Sequence, residues 1–212
     1  MALFGIHDLG LFIVSGLLLN LMPGPDSLLI MSRSASQGAR AGLAATAGIG
    51  TGVFVHIFAA ALGLSAVLQT SAMAFTVVKY IGAAYILYMA VGLLRARGAS
   101  AAQLNHAPPM ALRTIFGQGF LTNVLNPKVA LFFLAFVPQF VDAHAPSKAL
   151  TFIILGCIFN LNGMLWCCGL ALFTARASAR VRLSARTATL LSRVTGGLFI
   201  WLGIKLALSK NS

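Results

Sequence analysis

Acidic side chains are nearly absent from this chain: Asp8, Asp26 and Asp142 are its only three among 212 residues. Three scattered acids cannot build a two-carboxylate catalytic centre and a metal site as well. Charge of either sign is scarce, at 8% of residues, against roughly 25% in a soluble domain. With 59% hydrophobic residues, a water-soluble fold of this length could not cover itself with polar side chains. The three cysteines, Cys157, Cys167 and Cys168, share one apolar stretch without C-x-x-C or metal-ligand spacing, and read as small packing residues. No Walker A loop, nucleophile elbow, zincin helix or Rossmann fingerprint occurs, so no enzyme, cofactor or metal chemistry is expected, and an ATP-driven pump would need a separate subunit. Met1–Asp8 lacks the basic residues of a signal peptide's n-region, and no cleaved signal is expected.

What is present is apolar and comes in blocks, at about Leu9–Met31, Ala41–Leu68, Ala72–Leu94, Thr114–Phe140, Ala149–Thr174 and Thr189–Leu208. Blocks of about 20 nearly uncharged residues have the length of a membrane-crossing helix. Ile153–Ile158 and Ala130–Val137 show none of the polar–apolar alternation of a barrel strand. In lipid each backbone amide needs an internal partner, so such blocks coil into helices. The expected fold is all-α, a polytopic membrane bundle of six transmembrane helices in a single domain over residues 1–212.

The formal charge is +12, and the arginines alternate from loop to loop. Arg33 and Arg40 follow the first block, Arg95, Arg97 and Arg113 the third, and Arg176, Arg180, Arg182 and Arg186 the fifth. Membrane topology accounts for this charge without nucleic acid, with attraction to anionic membrane lipids as a secondary role. The positive-inside rule puts these loops in the cytoplasm and both termini outside the inner membrane of a bacterial cell.

Gly98–Pro109 is small, polar and proline-containing, and reads as a connector between half-repeats of about 1–97 and 110–212. The halves echo one another: Gly16-Leu17-Leu18-Leu19-Asn20-Leu21-Met22 aligns with Gly119-Phe120-Leu121-Thr122-Asn123-Val124-Leu125. Each segment runs into a proline break, Pro23-Gly24-Pro25-Asp26 in one and Asn126-Pro127-Lys128 in the other. Three spans per half invert the second half in the membrane, and paired helix breaks in inverted halves point to a transporter's binding site.

The breaks also carry the charges that need explaining. Proline frees backbone carbonyls, which in hydrocarbon require a polar partner or a wet cavity. Asp26 follows one break and Lys128 the other, where an ionised group costs about 2.5–3.5 kcal/mol on insertion scales. Their opposite signs suggest a pair, or a dipolar site that matches a zwitterion; hydration near the interface is the alternative for each. Asn20, Asn123 and Asn126 flank the breaks, and their amides can satisfy freed backbone groups or bind substrate. Ala44, Gly48, Gly52 and His56 lie at four-residue spacing on one helix face. The glycines there either admit a neighbouring helix or leave backbone open to a ligand. His56 is either a proton relay or a packed, hydrogen-bonded side chain. Asn160, with Asn162 and Trp166 nearby, either lines the same cavity or bridges helices.

These residues resemble the lysine exporter (LysE) superfamily, in particular its homoserine/threonine-resistance (RhtB) branch. The resemblance rests on Pro23-Gly24-Pro25-Asp26, Gln37-Gly38-Ala39-Arg40-Ala41-Gly42-Leu43, the glycine run to Gly52 and Gly63-Leu64. In the second half it rests on Gly119-Phe120, Asn123, Asn126-Pro127-Lys128, Phe132-Phe133 and Pro138-Gln139-Phe140. It implies export of amino acids or their derivatives from the cytoplasm, driven by the proton gradient. Metal exporters and thiol–disulfide carriers also occur in the superfamily. The scarcity of acids and histidine clusters argues against the first, and the lack of paired cysteines against the second.

The expected activity is therefore alternating-access export of a neutral or zwitterionic amino acid, bound between Pro23–Asp26 and Asn126–Lys128. Asp26 would hold the ammonium or a coupling proton, and Lys128 the carboxylate or Asp26 itself. Expected partners are the amino acid, protons and membrane lipids; a homodimer stays open. Rival readings are an exporter of another small metabolite or cation, a membrane-embedded redox carrier, and a scaffold that moves nothing.

Overall fold

The computed structural model describes residues 4–22, 24–64, 109–142 and 144–177, with isolated helical positions between 73 and 95 and between 193 and 204. Most of the third and sixth expected spans, the connector up to Pro108 and Pro23 lie outside the described residues. The first expected span is two helices, α1 (Leu9–Leu21) and α2 (Pro25–Gln37), bent by 53°. The second is α3 (Ala39–Ala59), extended by one wide π turn (Ala60–Leu64). The fourth is again two pieces, α4 (Leu112–Val124) and α5 (Pro127–Leu131), with α5 running on through a π turn (Phe132–Phe136) and a 3₁₀ turn (Val137–Phe140). This second break bends by 44°. The fifth is α6 (Lys148–Ala177). At 1.5 Å per residue α6 is about 45 Å long, more than the roughly 30 Å hydrocarbon core of a bilayer.

By length and apolarity, the stretches Ala39–Gly63 and Lys148–Arg176 can each cross a membrane, and up to four spans result if each bent pair is one. Leu17, Phe54, Phe58, Leu121, Leu161, Leu165 and Phe173 are exposed. Such an apolar exterior on a helical bundle suits lipid and not water. The chain is a helical membrane protein.

Local chemistry sets the helix ends. Gly24 is extended and Pro25 starts α2, where a proline's missing N–H costs nothing. Gly38 has φ 81° and alone separates α2 from α3, a conformation that favours glycine. The loop expected to carry Arg33 is therefore helix, and Arg33 is a buried residue of α2. Its guanidinium donates to Gln118 Oε1 at 3.1 Å. Gln37 and the Met110 backbone exchange two hydrogen bonds, at 2.9 and 3.0 Å. Together these bonds tie the end of α2 to the start of the second half. At the other end of the bundle, Asp142 N donates to Gly5 O at 2.8 Å and Thr151 Oγ1 to Phe4 O at 2.6 Å.

The core has two parts. One is aromatic, with Phe12, Phe132, Phe133, Phe136, Phe140, Phe152 and Phe159 around Val53 and Ile57. The other is made of small and branched residues: Ile30, Ala41, Ala45, Ile49, Ile115, Cys167 and Ala171. Close contact of α3 with α4 adjoins this second part. A Cβ on Gly48 would collide with the Phe116 carbonyl, and one on Gly119 with the Ala45 carbonyl.

Candidate functional site

The bends of the two broken helices meet. Val124 ends α4, Leu125 turns, and Asn126 caps α5, its Oδ1 accepting from Lys128 N at 3.0 Å. This fixes the Asn126 amide, whose Nδ2 donates to Asp26 Oδ2 at 3.1 Å. Asn123, in the last turn of α4, donates to the same oxygen at 2.9 Å. One oxygen of a carboxylate at the start of α2 is thus held by two amides from the other half of the chain. The start of a helix also favours a negative charge. Among the described residues, the second oxygen, Oδ1, is buried without a hydrogen-bond partner, as are Asn123 Oδ1, Asn20 Nδ2 and Trp166 Nε1. Asp26 is 8% exposed and Asn123 1%.

Lys128 crosses in the same direction, from the second half to the first. Its ammonium donates to Leu19 O at 3.2 Å and to Met22 O at 3.4 Å, at the C-terminal end of α1. Among the described residues no ion pair within 4.0 Å joins it to Asp26. Of the two arrangements that the opposite signs suggest, the direct pair is not formed, and each charge has its own partners. All of these donors come from the second half and reach polar atoms at the first half's break. Gly24 allows this, because a Cβ there would lie 3.3 Å from Lys128 Nζ.

The sequence matches the LysE type translocator family over residues 17–210. The chain belongs to this family. LysE type translocators are transport proteins and not enzymes. An uncharacterized membrane protein of Pseudomonas aeruginosa is 34% identical over 98% of both chains. The uncharacterized membrane protein YrhP of Bacillus subtilis is 30% identical over 96% of this chain and all of its own. The leucine efflux protein of Salmonella typhimurium is 26% identical over 96% of each. No solved structure matches.

In this translocator Gly24, Pro25, Asp26, Asn123, Asn126, Pro127 and Lys128 come together at the crossing. Pro23 lies outside the described residues. His56 reaches the cluster from α3: its Nε2 is 3.0 Å from Asn123 O, and its ring stacks on Phe133 with centroids 6.2 Å apart. A carbonyl only accepts, so Nε2 carries the proton. Asn20 stands beside Gly163 of α6, where a Cβ would sit 3.2 Å from Asn20 Nδ2. Gly52 backs the cluster, since its Cβ would meet Asn123 Cβ at 2.9 Å. Gly48 and Asn160 are not brought in. Gly48 faces the α4 backbone, the helix-contact reading of the two, and Asn160 bridges to Gly50 O at 3.1 Å. Sequence reasoning missed the carbonyls of Leu19 and Met22, because backbone acceptors carry no residue signature. Cys167 packs in the second apolar cluster, as its sequence context suggests.

Proposed function

We propose that this LysE type translocator exports neutral, zwitterionic amino acids of the homoserine, threonine or leucine kind from the cytoplasm across a bacterial inner membrane, by proton antiport. The observation that carries the reading is the Asp26 carboxylate. Two amides fix one oxygen, and the other is buried, oriented and, among the described residues, without a donor. An ammonium supplies the missing donors, with Asn123 Oδ1 as a second acceptor. Lysine has three N–H groups, and two of those on Lys128 are engaged. The third, with Asn20 Nδ2, suits a carboxylate. An α-amino acid presents both groups on one carbon, so it can touch both breaks at once.

The relation to a leucine efflux protein supports this substrate class. Bends of 53° and 44° beside the site supply joints about which one half can rock against the other to change access. His56, joined to the site through Asn123 O, is the nearest candidate to pass protons. The arginine-rich loops face the cytoplasm and both termini lie outside.

The test is efflux from proteoliposomes preloaded with a panel of amino acids. The expected result is saturable efflux of at least one neutral member, faster when the outside is acid. No saturable efflux of any member would overturn the reading.

A further inference from the structure

A helix that stops inside the membrane leaves carbonyls that must find a partner. In α1 the Met22 N–H serves Leu18 O and Leu19 O, and Lys128 Nζ serves Leu19 O and Met22 O. Carbonyls at the C-terminal end of a half-helix also carry the negative end of its dipole. Broken-helix carriers use such groups to coordinate Na⁺. Here the cation comes from the other half, on the first turn of α5, nine-tenths buried and closed in by Gly24. Among the described residues, the ionisable groups around it are Asp26 of α2, His56 of α3 by way of Asn123, and Cys167 of α6.

We propose that the Lys128 ammonium is a tethered replacement for an alkali cation, filling a seat formed by the carbonyls of Leu19 and Met22, so that the resting protein needs and binds no Na⁺ there. Removing the side chain while keeping the backbone recreates the seat for a free cation. The inference goes beyond the export reading and does not depend on which molecule is carried.

The test is thermal unfolding of the purified full-length chain in detergent, at constant ionic strength, with NaCl, methylammonium chloride or choline chloride. Wild type and Lys128→Arg, which keeps a charged donor, are expected to melt at the same temperature in all three salts. Lys128→Ala is expected to melt lower and to recover several degrees, saturably, in methylammonium or Na⁺ but not in bulky choline. Should Lys128→Ala not be isolated folded, Lys128→Met is shorter than lysine, uncharged and has no donor, so it leaves the same carbonyls open. A wild-type protein stabilised by Na⁺ over choline overturns the proposal. So does a Lys128→Ala or Lys128→Met protein that responds alike to every salt. No amino acid is present, so this result and the export assay can fail separately.

Discussion

Replacing Asp26 with Asn removes one charge at nearly constant shape. Asn123 Nδ2 and Asn126 Nδ2 both donate to Oδ2, so the new amide must turn its oxygen toward them. Its NH₂ then occupies the place of Oδ1 and presents a donor where the wild type presents an acceptor. The two internal bonds become neutral and about half as strong. Lifting the cost of a buried carboxylate offsets much of that loss, so the variant is expected to fold. An ammonium ligand, by contrast, loses a charge-assisted bond worth about 1.5–3 kcal/mol. At 1.4 kcal/mol per factor of ten this weakens binding roughly 10- to 150-fold. Counterflow of labelled leucine into proteoliposomes reads it directly as a rise in the half-saturating concentration. A half-saturation within twofold of wild type would refute the placement of the ammonium at Oδ1.

Other outcomes follow from the packing. Gly48→Ala drives a Cβ into the Phe116 carbonyl and is expected to cost about 1–3 kcal/mol, seen as a lower melting temperature without a change in substrate affinity. Asn126→Ala removes the α5 cap and one Asp26 donor together, and the cap alone is worth about 0.5–2 kcal/mol, so denaturant unfolding should shift by at least that much. His56→Ala removes one of two donors to the Asn123 carbonyl, which keeps Asn126 N at 2.9 Å, at a cost of about 0.5–1.5 kcal/mol, whereas His56→Gln can restore the donor and should recover stability. If His56 also relays protons, His56→Gln will export leucine down its gradient but lose acceleration by an acid exterior.

Much of the site was legible because proline and buried charge are strong local signals. Pro25 and Pro127 each open a helix, as the two breaks in the pattern required. Asp26 and Lys128 stood out as charges that lipid alone could not host. Which atoms they meet was not legible. Lys128 binds two main-chain oxygens more than 100 positions away, and any residue types could have supplied them. The amides of Asn123 and Asn126 were open to backbone or substrate; Asn126 caps the Lys128 N–H, and both also hold the carboxylate. The glycine face of α3 admitted two readings until α4 was seen against Gly48. The end of α2 was missed because Ser32, Arg33, Ser34, Ser36 and Gln37 look like a loop by polarity. They stay helical because Gly38 can turn at positive φ and because Arg33 and Gln37 find Gln118 and Met110 in the second half.

The account stands on one contact, between a substrate ammonium and Asp26. Binding of leucine and of 4-methylpentanoate, the same skeleton without its amine, to purified wild type and Asp26→Asn measures it. Removing the amine and removing the charge delete the same bond, so the two losses should not add. The expected result is a roughly 10- to 150-fold preference for leucine in wild type that nearly vanishes in Asp26→Asn. An equal preference in both proteins would contradict the account.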